Sequence, residues 1–233
     1  MNARTLLFLL VILSTGFIST SCNNQPECIT CEEAPDPDPN PEPDPDPDPT
    51  VTACGSDTHF TDPRDNQTYE LIQIGNACWM AQNLNYETEN SWCYEDKSGN
   101  CELHGRLYRW EDAVNACPPG WHLPTEQEWL DLAAELGGAE VAGGKMKLEG
   151  TRYWESPNEG ATNESGFSSL PSGFRGSGGA YNDMGRKTYF WTSTNDPRND
   201  AFAIYRVLAS INGELGDWYI DKRAALSVRC VKD

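Results

Sequence analysis

The chain has 233 residues, with 17 Lys and Arg residues against 36 Asp and Glu residues, and therefore a formal net charge of −19. The first 50 residues hold one basic and nine acidic residues, so the rest keeps 16 basic and 27 acidic residues and a net charge of −11. This excess of negative charge argues against nucleic acid and anionic lipid headgroups as partners of the folded part. It is compatible with neutral sugars, cationic groups or divalent cations.

Residues 1–21 have the pattern of a lipoprotein export signal. Arg4 precedes the apolar run Leu6–Ile18, which is shorter than the roughly 20 residues of a membrane-spanning helix and typical of a signal-peptide core. The run leads into Ser19–Cys22, whose sequence STSC is a relaxed form of the site at which bacterial lipoproteins are cleaved and lipidated. We expect Cys22 to carry the lipid and to tie the chain to a membrane. Ordinary secretion and an uncleaved anchor are the alternatives.

Residues 22–50 are predicted to form an acidic spacer rather than a fold. From Pro35 to Pro49 every second residue is proline, and the residues between are Asp, Glu or Asn. Proline fixes φ and lacks an N–H donor, and it pushes the preceding residue into an extended conformation. At about 3.1 Å per residue, a polyproline-II rod of this segment is roughly 45 Å long. Such a rod holds the following residues away from the membrane.

The cysteine content indicates an oxidising compartment. Eight cysteines remain after Cys22, and an even number in an exported chain predicts disulfides. Cys28 and Cys31 form a C-x-x-C motif in the spacer, where a local disulfide is favoured over a redox role because no βαβ pattern surrounds them. The other six allow fifteen pairings, and they show no paired C-x-x-C knuckles of the kind that bind zinc. These six are Cys54, Cys78, Cys93, Cys101, Cys117 and Cys230.

Residues 51–233 are long enough for one domain with a substantial core. The first strand is predicted at 68–74 (TYELIQI). Cys93 and Cys101 enclose a polar segment with a Ser-Gly-Asn turn, which favours a local disulfide between them.

Two amphipathic helices are predicted next, because apolar residues recur at i, i+3, i+4 and i+7. The first face consists of Trp110, Ala113, Val114 and Cys117, and Pro118-Pro119-Gly120 stops that helix. Thr125 and Glu128 have the spacing of a capping box that starts the second helix. The second face consists of Trp129, Leu132, Ala133 and Leu136, and two glycines at 137–138 end it. His122 lies between the helices without a second His or Cys at ligand spacing, which favours a structural role.

The C-terminal third is predicted to begin with a long irregular segment, residues 137–187, rich in Gly, Ser and Asn. Strands are predicted at 188–194 and 201–210, and in the final ALSVRCVKD, where Leu226, Val228 and Cys230 alternate onto one face. Cys117 and Cys230 both face the predicted core. A disulfide between them would close a loop of over 100 residues and contribute about 4–5 kcal/mol in the chain-entropy treatment. Cys54 and Cys78 would then be left to pair.

Five segments resemble the Fibrobacter succinogenes major paralogous domain family, in a match that runs from about 51 to 233. They are IGNACWMAQNLNY, CYEDKSGNCELHGRLYRWEDAVNACPPGWHLPTEQEW, GFSSLPSGFR, YFWTST and LSVRCVKD. The resemblance implies an α+β, C-type-lectin-like fold: two helices, small and mostly antiparallel sheets, and long irregular loops held by disulfides. It implies that a Cys117–Cys230 bridge corresponds to the helix-to-last-strand disulfide of lectins. The Cys93–Cys101 pair matches a familiar pair of the family, whereas Cys54 and Cys78 are less regular.

The resemblance also bears on location and function. Family members are typically exported lipoproteins or cell-surface proteins, so we expect an outer-membrane lipoprotein of the cell envelope. The favoured function is non-catalytic recognition of a glycan or an envelope protein. Candidate ligand-binding residues, which could equally belong to the core, are Tyr153, Trp154, Arg175 and Tyr181. Oxygen ligands for calcium, which could equally serve a turn, are offered by Asn195, Asp196, Asn199 and Asp200.

Two other functions are compatible with the sequence. The first is a structural or assembly component of the envelope that has a protein partner and no small ligand. The second is an oxidase similar to the formylglycine-generating enzymes, which need a reactive cysteine pair that binds copper. The oxidase is disfavoured because each cysteine of the domain has a structural partner available. No other cofactor is expected.

Overall fold

The structure, a computed structural model, describes residues 53–233. The predicted export signal, the lipidation of Cys22, the spacer and the Cys28–Cys31 motif lie outside these residues. The described part is an α+β domain with two sheets and four α-helices. None of its helices combines the length and the apolar character needed to cross a lipid bilayer.

The elements follow one another in a mixed order. The helices are α1 (Ser98–His104), α2 (Trp110–Ala116), α3 (Glu126–Glu135) and α4 (Ala139–Met146). The strands are β1 (His59–Thr61), β2 (Thr68–Ile74), β3 (Ala77–Met80), β4 (Ser91–Trp92), β5 (Leu107–Arg109), β6 (Trp121–His122), β7 (Ser172–Arg175), β8 (Tyr181–Met184), β9 (Lys187–Asn195), β10 (Phe202–Ala209), β11 (Gly216–Asp221), β12 (Ala225–Ser227) and β13 (Val231–Lys232).

The two sheets differ in size. The smaller has the antiparallel order β1-β2-β3-β13-β6. The larger has the order β11-β10-β9-β7-β12-β5-β4, with β8 paired to β7. It is antiparallel except where β9 runs parallel to β7 and to β12. The strands predicted at 68–74, 188–194 and 201–210 are confirmed as β2, β9 and β10.

The hydrophobic core has two main parts, reached by alternate residues of the same strands. Trp191 belongs to the part that also holds Tyr108 and Leu226. Its neighbour Phe190 belongs to the other part, which packs against Trp129 of α3. Successive strand residues point to opposite faces of a sheet, so the larger sheet is covered by core on both sides.

Helix α3 confirms the predicted cap and apolar face. The Thr125 hydroxyl accepts a hydrogen bond from the Glu128 backbone at 3.2 Å, and a Glu128 carboxylate oxygen accepts one from the Thr125 backbone at 2.7 Å. Trp129, Leu132 and Ala133 are buried. Such a cap satisfies N–H groups that the helix itself leaves without acceptors.

The segment 137–187 is irregular only in part, because it contains α4, β7 and β8, whereas residues 147–171 form no helix or strand, as predicted. The sequence of α4, AEVAGGKM, has two glycines in its middle, which argued against a helix. A Cβ atom on Gly143 would lie 2.1 Å from the Glu214 carbonyl oxygen, and one on Gly144 would lie 2.3 Å from that of Gly160. The glycines therefore allow a close approach of backbones.

Two other local predictions were wrong. The polar segment before Cys101 is not a simple loop, since it contains a 3-10 turn at Tyr94–Asp96 and the first three residues of α1. The C-terminal strand is not continuous: β12 lies in the larger sheet and β13 in the smaller one. The residues between them, including Arg229 and Cys230, are buried. The chain thus changes sheets at the point where a single strand was predicted.

Three disulfides cross-link the described residues. They join Cys54 to Cys78, Cys93 to Cys101, and Cys117 to Cys230, with sequence separations of 24, 8 and 113 residues. The longest one connects the end of α2 to the buried stretch between β12 and β13. All six cysteines of residues 53–233 are thereby oxidised.

Candidate functional site

The sequence predicted Trp154 as a ligand-binding residue, and this prediction was wrong. Only 1% of Trp154 is exposed, and its indole Nε1 donates to the Ser169 carbonyl oxygen at 2.9 Å. The neighbouring Tyr153 is half-buried and lines a surface cleft. Adjacent aromatic residues are thus divided between core and surface.

Arg175 and Tyr181, also predicted to bind ligand, do come together. They are paired across β7 and β8, and the Arg175 guanidinium lies 4.3 Å from the ring centre of Trp92 and 5.7 Å from that of Tyr181. The Tyr181 hydroxyl donates to Asp96 at 2.7 Å. Burial, together with that hydrogen bond, raises the pKa of Tyr181 to about 12. The Tyr181 hydroxyl is thus occupied within the protein, whereas Arg175 Nε is buried without a hydrogen-bond partner among the described residues. The ring contacts of Arg175 with Trp92 and Tyr181 favour a structural role in the β7–β8 hairpin.

The proposed calcium ligands form a turn instead. Asp196 is buried, and its carboxylate accepts hydrogen bonds from the Arg198 backbone at 3.0 Å and from Arg198 Nε at 2.9 Å. The Asn199 side-chain oxygen accepts one from the Ala201 backbone at 3.1 Å. A guanidinium therefore occupies the place of the cation. Within residues 53–233, no three His, Cys, Asp or Glu side chains come close enough to hold a metal ion.

The larger sheet carries an aromatic surface whose residues were not predicted as site residues from the sequence. Phe174, Tyr189 and Tyr205 follow one another across β7, β9 and β10, with ring centres 4.8 Å and 5.5 Å apart. Trp218 on β11 is paired directly with Tyr205, and residues directly opposite each other share a face of a sheet. We call these four residues the aromatic row.

The aromatic row becomes more exposed towards the edge of the sheet. Tyr189 is buried and donates its hydroxyl proton to Asp183 at 2.7 Å, whereas Tyr205 is half-buried. Trp218, on the edge strand, is 63% exposed. The Tyr205 hydroxyl has no hydrogen-bond partner among the described residues and is not sealed from solvent. The row therefore ends in an accessible indole, whose ring centre lies 5.2 Å from that of Tyr219, and it carries an accessible hydroxyl group on the neighbouring strand.

A sequence signal for the aromatic row did exist. That signal was weak: Tyr205 and Trp218 are large aromatic residues in β10 (FAIYRVLA) and β11 (GDWYID), but neither strand shows a regular alternation that would mark its exposed face. What the sequence lacked was the pairing of these strands, which alone makes the two residues neighbours.

The second surface feature is a cleft of about 310 Å³. It lies where β2 and β3 meet α1 and the loops around residues 148–170. The lining includes polar side chains from distant segments, among them Gln82, Asn83, Glu102, His104, Tyr153 and Arg229. Its volume is at the lower end for sites that bind small molecules.

His122 has the structural surroundings that the sequence favoured. Its Nε2 atom lies 2.7 Å from a Glu128 oxygen, and its Nδ1 atom lies 2.6 Å from an Asp233 oxygen. Burial disfavours the imidazolium, but these hydrogen bonds outweigh it, so the pKa of His122 lies above its usual value of 6.5. The imidazole thereby joins β6 to the cap of α3 and to the C-terminal residue.

Fold and surface define a disulfide-linked α+β domain with an exposed aromatic row and a polar cleft between β2, α1 and the loops around residues 148–170. A family model of the Fibrobacter succinogenes major domain matches residues 72–232, which is more than half of the chain. The chain therefore belongs to this family, and the family predicted from the sequence is confirmed. No curated protein and no solved structure matches the chain.

Proposed function

We propose that this protein is a lipoprotein of the bacterial outer membrane whose domain recognises glycans without catalysis. In this proposal Cys22 carries the lipid, residues 23–50 hold the domain away from the membrane, and residues 51–233 bind the ligand. Two features support a C-type-lectin-like classification of the domain: its small, mostly antiparallel sheets, and the disulfide that ties α2 to the C-terminal segment.

The observation that carries the proposal is the aromatic row with its exposed end at Trp218. The face of an aromatic ring carries partial negative charge and attracts the slightly positive C–H groups of a sugar ring, while apolar area is removed from water. The Tyr205 hydroxyl is available to exchange a hydrogen bond with a sugar hydroxyl. Unlike Trp154, which is buried, Trp218 has a ring that is accessible without any rearrangement.

The acidic surface supports a neutral sugar rather than an anionic polymer as ligand of this row. The folded part has a net charge of −11, which repels an anionic polymer. At the row itself the Asp183 carboxylate is occupied, because it accepts the Tyr189 hydroxyl proton and is paired with Arg186 at 2.8 Å. Asp217 precedes Trp218 in β11, but successive strand residues point to opposite faces, and its carboxylate lies 3.8 Å from Arg206.

A binding screen of the purified, oxidised protein against plant, host and bacterial-wall glycans tests the proposal. For any neutral glycan that binds, we expect Trp218→Ala to weaken binding about 30-fold, because truncating an aromatic anchor costs about 2 kcal/mol. Because Trp218 is largely exposed, the free energy of unfolding of the variant should lie within about 0.5 kcal/mol of that of the parent.

Leu130→Ala is the matched control. Leu130 is 43% exposed on α3, so its removal deletes exposed apolar surface away from the aromatic row. Equal losses in the two variants, or no glycan binding by a folded sample, would refute glycan recognition at this row. If no glycan binds and the protein forms a specific crosslink to another protein in native envelopes, the structural or assembly role is favoured instead.

A further inference from the structure

The cleft contains a buried guanidinium that no carboxylate balances. Arg229 is 1% exposed, and its Nε atom donates to the Asn83 side-chain oxygen at 2.7 Å. Its Nη1 atom donates to the carbonyl oxygens of Met80 and Phe167, at 3.0 Å and 2.8 Å. The guanidinium lies 4.1 Å from the ring centre of Phe167. Neutral groups thus hold Arg229 in position and leave its charge uncompensated by any acid in the described chain.

The remaining nitrogen of Arg229 reaches the cleft. Nη2 has no acceptor among the described residues, it is not among the atoms sealed from solvent, and Arg229 is part of the cleft lining. A buried cation without a partner is costly, and proteins normally pair such a charge. Burial accordingly lowers the pKa of Arg229 to about 9. An anion in the cleft would supply the missing counter-charge.

His104 offers a second donor to the same cleft. It is 8% exposed, and neither ring nitrogen has a hydrogen-bond partner among residues 53–233. Nδ1 is sealed from solvent whereas Nε2 is not. A buried N–H donor without a partner costs more free energy than a buried acceptor without one. The proton of the neutral ring is therefore placed on Nε2, which can donate into the cleft. Burial lowers the pKa of His104, so its imidazole is neutral at neutral pH.

Asn83 connects the two groups. Its oxygen accepts from Arg229 Nε, and its nitrogen donates to the His104 backbone carbonyl at 2.8 Å. The guanidinium of Arg229 and the backbone of His104 are therefore held relative to one another before any ligand arrives, and burial restricts the imidazole. Such pre-organisation reduces the entropic cost of binding.

We propose that this cleft, distinct from the aromatic row, binds the carboxylate group of a small organic acid or acidic sugar. One guanidinium charge matches one carboxylate charge, and the imidazole is a neutral donor. Glu102 is exposed and belongs to the lining, so a doubly charged anion such as phosphate would meet repulsion that a single carboxylate meets less strongly. The proposal does not depend on glycan binding at Trp218.

Titration calorimetry on the purified full chain tests the proposal with three probes: glucuronate, glucose as the matched neutral sugar, and inorganic phosphate. We expect saturable binding of glucuronate, none of glucose, and weaker binding of phosphate. Arg229→Gln should weaken glucuronate binding about 30-fold. Glu102→Gln, a surface change that keeps the fold, should strengthen it about twofold, because it removes a like charge.

The wild-type protein provides a readout that does not depend on a variant folding. A carboxylate beside Nε2 favours the imidazolium, so saturating glucuronate should raise the pKa of His104 in an NMR titration, while His122 should not respond. Equal binding of glucose and glucuronate, tighter binding of phosphate, or an unchanged His104 titration would overturn the proposal. Trp218→Ala should leave glucuronate binding intact, which separates this site from the aromatic row.

Discussion

Removing the disulfide between Cys117 and Cys230 should destabilise the domain more than removing any other. We consider the double variant Cys117→Ala/Cys230→Ala, and as its matched control Cys93→Ala/Cys101→Ala. Each pair has one buried and one half-buried cysteine. The loss of side-chain packing is therefore similar in the two variants and largely cancels when they are compared. What differs is the length of chain that each bridge closes.

The magnitude follows from the sequence separations of the two bridges. In the chain-entropy treatment, a bridge that spans 113 residues stabilises the folded state by about 5 kcal/mol at 25 °C. A bridge that spans 8 residues gives about 2.5 kcal/mol by the same expression. The predicted difference is thus about 2.5 kcal/mol, because the longer bridge removes more conformations from the unfolded chain.

Equilibrium unfolding in urea measures this difference. With a slope of about 2 kcal/mol per molar urea, the Cys117/Cys230 variant should lose about 2.5 M in its midpoint and the control about 1.2 M. The slope should rise in both variants, since their unfolded chains are less compact. Equal losses, or a larger loss in the control, would show that native-state strain or residual structure outweighs loop closure.

Three other predictions concern pH, packing and metal. The parent should lose stability as the pH rises from 6.5 through the raised pKa of His122, since the folded state binds the extra proton. His122→Gln should lack this loss, which urea unfolding at a series of pH values would measure. Gly143→Ala should lower the free energy of unfolding, measured in urea, by about 1–3 kcal/mol or more, because its Cβ atom would lie 2.1 Å from the Glu214 carbonyl oxygen. An unchanged urea midpoint would contradict this packing. Addition of EDTA should leave the midpoint of thermal unfolding unchanged, because the Arg198 guanidinium is already bonded to the Asp196 carboxylate. A lower midpoint in EDTA that calcium restores would support the calcium site.

The sequence predicted best where neighbouring residues decide the structure. The cap at Thr125 and the apolar face of α3 depend on groups within a few positions of one another, so spacing alone revealed them. Strand β2 was found with the bounds that the structure gives it. Helix α4 was missed because two central glycines normally weaken a helix. The reason for those glycines lies at Glu214 and Gly160, outside the helix.

Candidate ligand residues were harder to predict, because exposure is a property of the folded chain. Trp154 and Trp218 have the same side chain, yet Trp154 is buried and Trp218 is the most exposed tryptophan of residues 53–233. Likewise, the sequence LSVRCVKD gives no sign that the arginine lacks an acid beside it. The three acceptors of Arg229 come from Met80, Asn83 and Phe167, which lie far from it in the sequence.

The sequence by itself determined the acidic charge, the two central amphipathic helices and most long strands, because these depend on composition and on periodicity over short distances. The family followed from the resemblance of five sequence segments to its known members. Only the tertiary structure decided which aromatic side chains are accessible and which polar groups lack partners. Those properties depend on strand pairing and on loop packing between residues far apart in the chain, and local periodicity carries no information about such contacts. The aromatic row and the Arg229 cleft both arise at that level.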